Sequence, residues 1–179
     1  MELKGSRTEQ NLWAAFAGES QARNKYTYFA SQADKEGFKQ MAAIFLETAD
    51  NEKEHAKVLF KFLMGGAVPS TEENLLAAAE GENEEHTSMY PEFERIAREE
   101  GFDKIADVLK EIAEVEEEHE KRYRKLLANL KDKSVFKKEE SIKWKCRNCG
   151  YVHEGPEAPE ECPACAHPQS YYEVMAENY

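Results

Sequence analysis

Two groups of side chains in this chain have the types and spacings of metal ligands. Glu52-Lys53-Glu54-His55 and Glu116-Glu117-Glu118-His119 each set a carboxylate and an imidazole three residues apart. On a helix that spacing puts both on one face. A further glutamate precedes each pair, Glu19 and Glu82. Two Glu-x-x-His pairs, joined by one Glu from each of two other helices, form the ligand set of a carboxylate-bridged di-iron site in a helical bundle. Near the C-terminus Cys146-Arg147-Asn148-Cys149 and Cys162-Pro163-Ala164-Cys165 present four thiolates. Such a set holds zinc or iron tetrahedrally, and ligand spacing alone does not separate the two metals.

A single Glu-x-x-His in a glutamate-rich stretch is ordinarily a solvated face. Recurrence at matching positions reverses that reading. An offset of 64 residues relates Ala33 to Ala97, Gly37 to Gly101, Ala42 to Ala106, Ala49 to Ala113, Glu52 to Glu116 and His55 to His119. The chain therefore reads as a duplicated helical hairpin. Tyr26 and Tyr90 keep the offset, but Glu19 and Glu82 lie 63 apart, so one residue has been inserted between Glu82 and Tyr90. An extra residue rotates everything after it by about 100° unless a π-bulge absorbs it. Glu85 lies three beyond Glu82 on the same face, and the predicted π-turn makes it a seventh ligand without displacing Tyr90. The candidate set is Glu19, Glu52, His55, Glu82, Glu85, Glu116 and His119. Five carboxylates in a bundle core are costly unless cations compensate them. Tyr26 and Tyr90 are either core aromatics with partnered hydroxyls or donors to ligand carboxylates. His86 is expected at the surface or just outside the ligands, and Trp13 and Phe16 as packing.

The elements that must position these residues follow from apolar steps of three and four, as in Ile44, Phe45, Ala49 and in Ile105, Val108, Leu109, Ile112. Helices are expected over about residues 8–36, 38–64, 71–100 and 102–130. Gly37 and Gly101 suit left-handed positions closing tight antiparallel turns, and Gly65-Gly66-Ala67-Val68-Pro69-Ser70 joins the halves. Four helices with one longer crossover are the ferritin-like arrangement. A Lys/Glu-rich stretch over 132–140 reads as a linker. The residues beyond it are too few to bury a self-sufficient core, so a metal must hold them. The expected domains are a bundle over 1–135 and a metal-knuckle module with short β-strands over 136–179.

Composition narrows the partners. The formal net charge is −12, which disfavours nucleic acid, since phosphate backbones recruit basic faces. No apolar run approaches the ~20 residues that span a bilayer, and the N-terminus lacks an apolar signal core. A cytoplasmic location is expected, where paired Cys-x-x-Cys motifs favour metal over disulfide.

Trp144-Lys-Cys-Arg-Asn-Cys-Gly-Tyr151, followed by Cys162-Pro-Ala-Cys165, resembles rubredoxin, a one-iron electron carrier, with a shortened gap between the cysteine pairs. Together with Ala17-Gly-Glu19-Ser20, Glu52-x-x-His55, Gly81-Glu82-x-x-Glu85, Met89-Tyr90-Pro91 and Glu116-x-x-His119, the chain resembles the rubrerythrins from Glu19 to Cys165. The resemblance implies a ferritin-like di-iron bundle with a rubredoxin-like domain. It implies a peroxidase that reduces hydrogen peroxide to water, in oxidative stress defence. Glu52 and Glu116 would bridge the two irons, Glu19 and Glu82 would be terminal ligands, His55 and His119 imidazole ligands, and Glu85 the surplus ligand. One iron is thought in that family to move between the His55 side and the Glu85 side as its charge changes. The four cysteines would hold one iron. Electrons would come from NAD(P)H through a separate reductase or rubredoxin, and a homodimer at least would bring the two kinds of centre near each other. Ala166 departs from the pattern, since a glycine usually follows the last cysteine; it must accept a positive φ or reshape the knuckle. The alternatives are a ferroxidase of iron handling, and a scaffold carrying a zinc ribbon for protein recognition.

Overall fold

The structure is a computed structural model and describes residues 2–178. It is mainly helical, with helices α1 (Arg7–Lys35), α2 (Lys39–Leu63), α3 (Thr71–Glu84), α4 (Tyr90–Glu99) and α5 (Asp103–Lys131), followed by strands β1 (Lys137–Cys146), β2 (Val152–Glu157) and β3 (Tyr172–Val174). The chain forms two compact units that meet in sequence at Pro69 and Ser70.

The first unit is the hairpin of α1 and α2. Ser6 caps α1 by accepting the Glu9 amide on its hydroxyl. The turn is closed at Gly37 (φ 88°), with the Phe38 amide donating to the Ala33 carbonyl at 2.9 Å. That six-to-one bond is a Schellman closure, and its left-handed residue suits glycine. The buried residues of the hairpin are alanines, Ala30, Ala33, Ala42, Ala49 and Ala56. Small side chains at those positions let the two backbones approach, while Tyr26, Phe29 and Phe45 pack as an aromatic group with ring centres 5.6 to 6.3 Å apart.

The second unit repeats this design. Ser70 and Glu73 form a reciprocal capping box at the start of α3. Gly101 (φ 83°) closes the second turn with Phe102 donating to the Ala97 carbonyl at 2.8 Å. The helix expected over 71–100 is interrupted by a π-helical segment, Glu85–Met89, where the Tyr90 amide donates to the Glu85 carbonyl. The inserted residue is absorbed where the mismatch between the repeats predicts it.

After α5 the chain forms a three-stranded antiparallel sheet in the order β2-β1-β3. The linker expected over 132–140 is shorter than that, because β1 already begins at Lys137. Lys137 pairs with Glu157, and the register then shifts before Ile142 meets Gly155. Backbone pairing does not depend on side-chain polarity, so a charged, exposed strand start looks like a linker in sequence. The module core is small, comprising Trp144, Cys146, Ala158, Cys162 and Tyr172. The Trp144 indole donates to the Gly155 carbonyl at 2.9 Å. With cysteines inside so small a core, a bound metal is part of the fold.

Among the described residues no helix is long and apolar enough to cross a membrane.

Candidate metal centres

In the first unit α1 supplies Glu19 and α2 supplies Glu52 and His55, whose ligand atoms all lie within 4.8 Å of one another. His55 Nδ1 is 2.8 Å from Glu52 Oε2 and 3.7 Å from Glu19 Oε1. In the second unit α3 supplies Glu82 and α5 supplies Glu116 and His119, again within 4.8 Å. His119 Nδ1 is 2.6 Å from Glu116 Oε2 and 3.7 Å from Glu82 Oε1. The two triads share one geometry because the three-residue step places Glu and His on adjacent turns of one helix, facing the earlier glutamate on its neighbour. Each converges two hard oxygen donors and one imidazole nitrogen, a chemistry that suits iron.

Glu85 is half-buried in the π-segment and lies outside the second triad's tight cluster. Its charge nevertheless reaches Glu82 and Tyr90. Burial, followed by the negative charge of Glu116, raises Glu82 above the usual carboxylate range. Tyr90 is raised by burial and then by Glu85, Glu116 and Glu82, so its hydroxyl keeps its proton and can donate among the carboxylates. Tyr26 sits in the aromatic group with Phe29 and Phe45. Trp13 packs edge-on against Phe16, and Phe16 against Phe60.

The raised Glu82 has a consequence for metal binding. A dication must displace the proton that Glu82 holds more firmly than an ordinary glutamate does. Ferrous binding to the carboxylate sets is therefore expected to tighten as pH rises from about 5 to 7, above the ordinary glutamate value. Equilibrium titrations at the two pH values check this, and equal affinities would contradict it.

His86, expected at the surface or just outside the ligands, is half-buried and bonded to Glu120 across the helix pair, with Nε2 to Oε2 at 2.6 Å. Asn83 donates to the same oxygen at 3.1 Å, and Arg124 donates through Nε to Oε1 at 2.5 Å. These three bonds push Glu120 down to about 2. Sequence reasoning missed Glu120, Asn83 and Arg124. The signal available was the repeat itself, which sets Glu120 against Ala56 and Arg124 against Phe60.

The third cluster is Cys146, Cys149, Cys162 and Cys165, again within 4.8 Å. Sulfurs of Cys146 and Cys165 are 3.8 Å apart, and those of Cys149 and Cys162 are 3.7 Å apart. A metal about 2.3 Å from four tetrahedral sulfurs sets sulfur–sulfur edges near ~3.8 Å, so the thiols fit one ion. The knuckles match each other. Gly150 donates to the Cys146 carbonyl at 2.9 Å and Ala166 to the Cys162 carbonyl at 2.8 Å, with φ of 81° and 55°. Ala166 thus accepts the left-handed conformation, and the knuckle is not reshaped. The backbone amide of His167 is the main cause that brings Cys165 down to about 6, while Cys149, against the lowering backbone bond at Tyr151, is pushed up by its hydrogen bond to Cys165.

Residues 10–127 match the family described as Rubrerythrin, and residues 144–173 the one described as Rubrerythrin, rubredoxin-like domain. The rubrerythrin of Nitratidesulfovibrio vulgaris is 56% identical over 188 residues, covering 99% of this chain and 98% of its own. That of Porphyromonas gingivalis is 57% identical over 188 residues, covering 99% and 94%. A solved chain titled "Partially Reduced State of Nigerythrin" is 30% identical, covering 97% of this chain and 91% of its own at a TM-score of 0.37.

Proposed function

We propose that this chain, which belongs to the rubrerythrin family, is a peroxidase that reduces hydrogen peroxide to water. The family is one of di-iron oxidative-stress proteins, and this member carries the four-cysteine rubredoxin-like iron site. The observation that carries the peroxidase reading is the attachment of an electron-carrier module to carboxylate–imidazole iron ligands. A ferroxidase draws electrons from its substrate iron and has no use for such a module.

Glu19, Glu52 and His55 would hold one half of the di-iron site, and Glu82, Glu116 and His119 the other, with Glu52 and Glu116 as bridges and Glu85 in reserve. Two ferrous ions held there would supply the two electrons that turn hydrogen peroxide and two protons into two waters, and an iron on the four cysteines would return electrons singly. Tyr90, still protonated among the carboxylates, would orient them by donating a hydrogen bond. Each hairpin leaves large apolar side chains exposed, Phe29, Ile44 and Phe62 in one and Phe93, Ile105 and Val108 in the other. Apolar faces of that kind need cover, which supports a four-helix bundle over 1–135 and assembly as a homodimer; the module over 136–179 would stand as its own domain. The upstream donor would be an NAD(P)H-dependent reductase or rubredoxin, in the cytoplasm.

Glu85→Ala should retain iron while peroxide turnover falls by roughly tenfold or more, as for other groups that adjust a metal site. Metal analysis beside steady-state kinetics checks this, and unchanged turnover would remove Glu85 from the mechanism.

The whole reading is tested anaerobically. The fully reduced protein is mixed with hydrogen peroxide while the visible absorption of the ferric thiolate centre is followed. Rapid return of the red colour, faster than with dioxygen, is expected. A colourless protein would indicate a zinc ribbon. A red protein that peroxide does not promptly reoxidise would leave iron handling as the function.

A further inference from the structure

Glu120 is the one buried charged side chain among the described residues, 9% exposed, and the metal chemistry above gives it no part. Its carboxylate faces the π-segment from α5. One oxygen accepts from Asn83 and His86, and the other accepts from Arg124 a turn further along α5. Asn83 directly follows Glu82, and His86 directly follows Glu85. The two grips therefore repeat the three-residue spacing of the two candidate ligands. We propose that Glu120 is a positioning residue: by holding Asn83 and His86 it keeps the π-turn in register and aims Glu82 and Glu85 at one metal position.

The duplicated hairpin provides an internal control. In the first unit α1 runs uninterrupted from Arg7 to Lys35. At the positions equivalent to Asn83, Glu120 and Arg124 stand Ser20, Ala56 and Phe60, which line a cavity together with Phe16, Arg23 and Lys53 and bring no carboxylate to it. Ser20 donates only to the Phe16 carbonyl of its own helix, at 2.7 Å. The π-turn and the buried carboxylate thus occur together in one half and are both absent from the other. A π-turn has an α-helical alternative, and relaxing into it would rotate the following residues by about 100°. Such relaxation would pull His86 off Glu120 and leave a buried carboxylate underpartnered, which is strongly unfavourable. The clamp thereby makes the unusual register the stable one.

The inference rests on the reading of Glu82, Glu85 and His119 as iron ligands, so its test includes a measurement that needs neither peroxide nor metal. In the full-length chain carrying Glu120→Ala, amide hydrogen exchange at Tyr90 and its neighbours in the π-segment should quicken by about tenfold or more. Protection elsewhere in α5 and throughout α1 and α2 should be unchanged. Ferrous affinity of the carboxylate sets should weaken by about 10- to 100-fold, with the red colour of the thiolate centre retained. Glu120→Gln keeps an oxygen toward His86 and Asn83 and should preserve protection and affinity to within about threefold. His86→Ala removes one grip and should reproduce the local quickening. Unaltered protection at Tyr90 in Glu120→Ala would overturn the proposal. So would protection lost evenly along α5, because Glu120 would then stabilise the helix pair without setting the turn. If the wild-type protein fails to reduce peroxide while exchange behaves as expected, the peroxidase reading falls and the clamp stands.

Discussion

Replacing Glu116 by alanine is expected to lower peroxide turnover by at least about 100-fold, a loss near 3 kcal/mol of transition-state stabilisation. Glu116 is the first of a run of three glutamates and a histidine on α5. Its side chain is 15% exposed and turned to His119 and Glu82, whereas Glu117 and Glu118 are half exposed or more and pair with Lys121 at 2.8 Å. Glu117→Ala, one residue away, is therefore expected to change turnover by less than about twofold, as exposed ion pairs contribute little. Alanine at 116 removes a donor from the second triad and, with it, a proposed bridge. The four-cysteine centre should keep its red colour in both variants. Equal activity of Glu116→Ala and Glu117→Ala would mean that the α5 carboxylates hold no catalytic metal.

The second large effect is expected from Cys162→Ser. Cys162 is buried, is one of the few members of the module core, and lies 3.7 Å from the Cys149 sulfur. Losing this thiolate removes a metal ligand and a core side chain together. For a module whose fold depends on its metal, the expected result is unfolding of the β-sheet. The red absorption should vanish and turnover driven by an external donor should fall to background. The helices belong to other segments of the chain and should persist in far-ultraviolet circular dichroism. The chemically reduced variant should still be oxidised once by peroxide, since the carboxylate–imidazole residues are untouched. Donor-driven turnover at the wild-type rate would show that electrons bypass the cysteine centre.

Much of the candidate chemistry was legible in the chain because it is local. A Glu and a His three apart share a helical face whatever surrounds them, and two residues between cysteines make a knuckle. The duplicated hairpin and its single-residue insertion mark the π-turn in the sequence, since helical phase leaves few ways to absorb one extra residue. Gly37 and Gly101 marked their turns for an equally local reason, as both occupy left-handed positions.

Contacts remote in sequence were not legible. Glu120 reaches Asn83 and His86 across 37 and 34 residues, and whether a glutamate beside a ligand points to solvent or to the neighbouring helix depends on how that helix is rotated. His86 takes one of its two expected places, just outside the ligands, and only its partner Glu120 depended on that rotation. The charged start of β1 at Lys137 looked like linker because strand pairing is made by backbone groups that side-chain polarity does not report. The conformation of Ala166, one of two resolutions open to the chain, was settled by the closing of the second knuckle at φ 55°. By itself the sequence determined which atoms can bind metal, because ligand type and helical phase are properties of short segments. Tertiary structure alone decided which buried charge steadies them, because that required two helices to meet in one rotation.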